Sequence, residues 1–80
     1  MKFFAGTDSI EVYYKEFNKK LPKVVLLAKR NSMYILYEYP SKKVLDTNMD
    51  KNSKDYNDIL KFVSNNADFA YDCMKGKYNI

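Results

Sequence analysis

Histidine and tryptophan are absent from this chain of 80 residues, and cysteine occurs once, at Cys73. Without histidine, the usual general base, most acid–base and nucleophilic mechanisms lose their central group, and zinc loses its commonest ligand. One cysteine cannot close an internal disulfide, so a secreted disulfide scaffold is excluded and a reducing cytoplasm is the expected compartment. Glycine occurs only at Gly6 and Gly76, which leaves no glycine-rich loop to cradle a phosphate. Arginine is nearly absent: of the 14 basic residues, only Arg30 is not lysine. Base-reading proteins favour arginine for its bidentate geometry. The opening apolar run stops after Ala5, too early for a signal peptide, and no stretch approaches the roughly 20 apolar residues of a membrane span.

What is present is enough for one domain, 1–80. The chain is 46% hydrophobic and 30% charged, with a net charge of +4, outside the disordered class. The basic excess sits in the first half, chiefly at Lys15, Lys19, Lys20, Lys23, Lys29 and Arg30.

The patterning predicts an α+β fold of order (β)αβββα: a small three- to four-stranded antiparallel sheet with helices on one face and a long C-terminal helix. Phe3-Phe4-Ala5 fits a short edge strand. Asp8-Ser9-Ile10-Glu11 resembles a capping box, and Ile10, Tyr13, Tyr14, Phe17 and Leu21 follow at helical spacing. A strand competes over the same residues, because Ile10, Val12 and Tyr14 alternate. Three strands follow, Lys23–Lys29, Met33–Tyr39 and Lys43–Asp46. They are joined by turns at Arg30-Asn31-Ser32 and Pro40-Ser41-Lys42. From Asp55 to Lys75 the pattern is helical, with Tyr56, Ile59, Leu60, Val63, Ala67, Ala70, Tyr71 and Met74 on one stripe. Asn52 or Ser53 suits its start, Gly76 its end, and Asn65-Asn66 is a place for a bend.

Few constellations suggest chemistry. Asp46, Asn48, Asp50 and Asn52 carry the first oxygens of a calcium loop, but Lys51 replaces the required glycine and Asn57 the bidentate glutamate. Asx-turns are the simpler account. Asp55, Asp58, Asp68 and Asp72, interleaved with lysines, read as a solvated helix face. No catalytic site, metal or cofactor is expected.

Tyrosine and lysine point to binding instead. Tyr34, Tyr37 and Tyr39 lie on one strand, and the sheet face away from the helices is expected to show rings beside Lys23, Lys29 and Lys43. Sheets of this kind stack single-stranded bases. Nucleic acid is therefore one expected partner, with Lys19, Lys20, Lys23 and Arg30 on phosphates and Tyr37 or Tyr39 stacking. The element order is similar to that of double-stranded-RNA-binding domains, although their lysine cluster is reduced here to Lys51 and Lys54.

The favoured expectation is a small non-catalytic protein-binding module using the same residues, since tyrosine and methionine suit interface cores. Small inhibitors encoded by phages or mobile elements, such as anti-CRISPR proteins, share this size and build. That similarity implies an inhibitor occluding a host defence protein or ribonucleoprotein complex in the host cytoplasm. A second stripe on the long helix, Phe62, Phe69 and Cys73, is a candidate homodimer interface, unless the first helix covers it.

Overall fold

The computed structural model describes residues 2–17 and 20–77. Among them the chain forms five strands and one helix: β1 (Lys2–Ala5), β2 (Asp8–Glu16), β3 (Lys23–Arg30), β4 (Met33–Tyr39), β5 (Lys43–Thr47) and α1 (Lys54–Lys77). The strands form an antiparallel meander in the order β1-β2-β3-β4-β5, and α1 packs across β3 and β4. The α+β class holds. The three- to four-stranded sheet and its pair of helices do not: of the residues expected to form the first helix, those up to Glu16 belong to β2.

The reason lies in one bulge. Before it, Ile10 pairs with Ala28 and Val12 with Leu26; after it, Tyr14 pairs with Val25 and Glu16 with Lys23. Tyr13 is the extra residue. A bulge reverses the in-and-out alternation of every later side chain. Ile10 and Phe17, seven apart, are therefore both buried under the helix, whereas unbroken alternation would separate them. A bulged strand thus carries the i, i+7 coincidence of a helix. The Asp8-to-Glu11 segment is no capping box either, because Asp8 belongs to the β2–β3 ladder opposite Arg30.

Turns follow residue chemistry. Gly6 opens the β1–β2 turn with φ 63 and Asn31 the β3–β4 turn with φ 57, the left-handed region that glycine and asparagine enter most readily. Lys42, before β5, also has φ 62.

The core lies between sheet and helix. Val24, Leu26 and Ala28 of β3 and Ile35 and Tyr37 of β4 face Ile59, Val63, Ala67, Ala70 and Met74 of α1. Ser53 caps the helix: its Oγ accepts from Tyr56 N at 3.1 Å, satisfying a free first-turn donor. The helix runs unbroken through Asn65-Asn66 and past Gly76. Among the described residues, no helix is long and apolar enough to cross a membrane.

Candidate binding face

With α1 on one face of the sheet, the other face carries the side chains out of phase with the core. Register places Glu11, Leu27, Leu36 and Asp46 in one row across β2 to β5. Ser9, Lys29 and Tyr34 form the next row, and Tyr14, Val25, Glu38 and Lys43 the row on the other side.

Over the middle of this face lies a shallow cleft of about 400 Å³. Leu27 and Leu36 line it on the central strands, with Tyr13 on the β2 side, Tyr34 and Asp46 on the other, Asn31 and Ser32 at the turn, and Lys29 beside them. The bulge leaves Tyr13 64% exposed. Tyr34 is held in place: its hydroxyl donates to Asp46 Oδ2 at 2.8 Å. That bond to a carboxylate raises the Tyr34 pKa above the usual phenolic value. The Tyr34 backbone N–H donates to Asn48 Oδ1 at 2.9 Å, and Asn48 Nδ2 donates to Ser32 O at 2.8 Å.

These bonds also account for the oxygen-rich segment after β5. Asp46 Oδ1 accepts from Thr47 N, and Asp50 Oδ1 from Asn52 N, both at 2.9 Å. The side chains tie the loop to the hairpin. Among the described residues no group of three or more histidine, cysteine or acidic side chains is placed to hold a metal ion.

Charge on the face is balanced. Four lysines, Lys2, Lys23, Lys29 and Lys43, share it with four acids, Glu11, Glu16, Glu38 and Asp46. Lys2 lies 3.7 Å from Glu11 and Lys23 lies 3.5 Å from Glu38. The Glu38 pKa is lowered by a hydrogen bond from Ser41 and by the nearby Lys23 and Lys43. A further cleft near the β2–β3 connection, lined by Glu16, Leu21, Pro22 and Lys23, draws its charge from this paired set.

The residues singled out from sequence are dispersed. Tyr37 is 4% exposed, in the core under α1, and burial raises its pKa. Tyr39 is on the same side, its ring centroid 5.3 Å from that of Tyr71. Neither presents a ring to the open face; Tyr34 does. Lys23 is on that face, paired with Glu38. Lys20 is exposed between β2 and β3, and Lys19 lies outside the described residues. Arg30 is on the helix side. Its Nε donates to Asp8 Oδ1 at 2.7 Å and its Nη2 to Asp8 Oδ2 at 2.9 Å. Its Nη1 donates to Asp55 Oδ1 at 3.0 Å and lies 3.8 Å from Asp58. Of the helix stripe, Phe62 packs against the core, Phe69 is 57% exposed and Cys73 is exposed.

Tyr13, Leu27, Tyr34 and Leu36 were not among the residues expected to contact a partner. A signal for the β4 pair was present: Glu38 is in phase with Tyr34 and Leu36, and a charge belongs on the wet face. Comparison with family models, with curated proteins and with solved structures finds no match for this chain.

Proposed function

We propose that the protein is a small non-catalytic binding protein that docks on a partner protein through the open face of its sheet. The observation that carries this is the composition of that face. It has an apolar and aromatic centre at Tyr13, Leu27, Tyr34 and Leu36, inside a rim where lysines and acids balance. An apolar centre with a polar rim is the anatomy of a protein interface. A nucleic-acid surface needs a net positive field. Here Lys2 and Lys23 already face glutamates, and Arg30 is spent on Asp8, Asp55 and Asp58. The inhibitor expected from size and build is the form of this proposal in which the partner is a host defence protein or ribonucleoprotein complex, met in a reducing cytoplasm.

Leu36→Lys tests the docking face. Leu36 pairs across strands with Asp46, so the new ammonium gains an opposite charge and the fold is retained. Pull-down from host lysate, with and without nuclease, is expected to retain one protein in both conditions. The variant is expected to bind it roughly 10–100-fold more weakly, the loss of a central interface residue. Capture that requires intact nucleic acid, or that ignores Leu36→Lys, refutes the proposal.

A homodimer through the outer flank of α1 is a second proposal, supported by the exposure of Phe69 and Cys73. Phe69→Asp is expected to change stability by less than about 1 kcal/mol, as an exposed position allows. Sedimentation equilibrium then reads the interface: a dimeric parent and a folded monomeric variant support it, and a monomeric parent removes it.

A further inference from the structure

Resting on the proposed docking face, we infer that the cleft over Leu27 and Leu36 takes an aromatic side chain of the partner protein that stands next to a carboxylate, with Lys29 holding the carboxylate. The charge pattern selects this occupant. Lys2 and Lys23 each have a glutamate within salt-bridge distance, and Lys43 stands opposite Glu38 in the ladder. Lys29 differs: its cross-strand neighbours are Ser9 and Tyr34, and among the described residues it forms no ion pair. The other charge at the cleft, Asp46, already accepts from Tyr34 Oη and Thr47 N. The charge left for a ligand to complement is thus the Lys29 ammonium, at the rim of an apolar floor.

The walls select the apolar part. Tyr13 and Tyr34 flank the floor from β2 and β4, and rings offer an incoming aromatic side chain tilted or offset stacking beyond its area burial. Tyr34 is fixed by its bonds to Asp46 and Asn48, so one wall is ordered before binding, and less side-chain entropy is lost on contact. A lysine opposite a carboxylate at such a rim sets specificity more than affinity.

Selection from a random-peptide display library on the whole protein, with binding mapped by NMR amide shifts, tests this. Enriched peptides are expected to carry an aromatic residue within two positions of an aspartate or glutamate and to shift the amides of Leu27, Lys29, Tyr34 and Leu36. Lys29→Glu, at an exposed position, is expected to weaken them roughly tenfold, the worth of a close charge pair set against a repulsion. Replacing the peptide's acid by lysine is expected to restore binding to that variant. Peptides that shift these amides without an acid preference, or a charge swap without rescue, overturn this inference and leave the docking face standing. Peptides that shift only residues of α1, or no enrichment at all, overturn both. Short oligo-deoxythymidine that saturates the same amide shifts in physiological salt overturns both in favour of nucleic acid.

Discussion

Arg30→Met is expected to lower the thermal midpoint by roughly 10 °C at neutral pH, using the usual conversion for a domain of this size. The deficit is expected to shrink as the solution is acidified. Arg30 ends β3 and reaches two elements at once. Its fork holds both oxygens of Asp8 on β2, and its other nitrogen meets Asp55 and Asp58 in the first turns of α1. Asp8 is the sole charged residue buried among those described, at 9% exposure. Without Arg30 its charge stays largely out of water with only a 3.5 Å bond from the Thr7 hydroxyl, and a broken pair costs far more than a pair that was never made.

The pH dependence follows from Asp8. The Arg30 hydrogen bonds hold its carboxyl below the ordinary value, against burial, which pushes the other way. A depressed folded pKa contributes stability that is present above the unfolded value, about 3.9, and lost as pH falls through the folded one. In the variant burial is opposed only by the Thr7 hydroxyl, and the carboxyl moves up from its depressed value. The parent loses the Asp8 contribution as pH falls through its depressed folded pKa, and the variant has less to lose, so the deficit shrinks towards acid pH. Melting curves at neutral pH and near pH 3 check this; a deficit that stays constant shows that Arg30 acts by packing alone. The double variant Asp8→Leu/Arg30→Met is expected to recover most of the loss, as apolar replacements of buried ion pairs do.

That ion pair also marks where local pattern stops being informative. Asp8 and Arg30 are 22 residues apart, and Asp8 beside Ser9 and Glu11 reads locally as a helix cap. β2 reads as a helix for the related reason that its bulge puts Ile10 and Phe17 on one face, which matches helical periodicity. Other elements were legible because one force dominated each. The stripe of α1 from Tyr56 to Met74 is long enough for its period to be unmistakable. Asn31, at φ 57, is a residue that tolerates the left-handed region, between two runs of strand formers.

The open face was legible only in part. The alternation of β4 separates Tyr37 and Tyr39 from Tyr34, Leu36 and Glu38, but aromatic rings on both sides hide which face the helix takes. Lys29 could be placed beside the open face, but not recognised as the lysine without a glutamate. That depends on the cross-strand register of β2, β3 and β4, which places Ser9 and Tyr34 beside it.

Ile59→Ala is expected to cost about 2–5 kcal/mol, the range for deleting a buried aliphatic side chain in a close-packed core. Ile59 is 0% exposed on the sheet-facing stripe of α1, two turns from the Ser53 cap. Alanine's better helix propensity returns only about 0.4 kcal/mol, so the cavity dominates. A domain of this length holds roughly 4–12 kcal/mol in all, and the expected fall in midpoint is roughly 10–30 °C. Ile59→Val removes one methyl group, keeps the branch at Cβ and is expected to cost about 0.5–1.5 kcal/mol. Denaturant titration of the three proteins gives the comparison, and equal losses for alanine and valine contradict a cavity at this site. The lesion lies on the face of the sheet opposite Leu27 and Leu36. Below its midpoint the alanine variant is therefore expected to bind the partner as the parent does, once binding is scaled to the folded fraction. Leu36→Lys is expected to do the reverse, keeping the fold and losing the partner. A folded Ile59→Ala protein that fails to bind places the docking surface on the helix rather than on the open sheet.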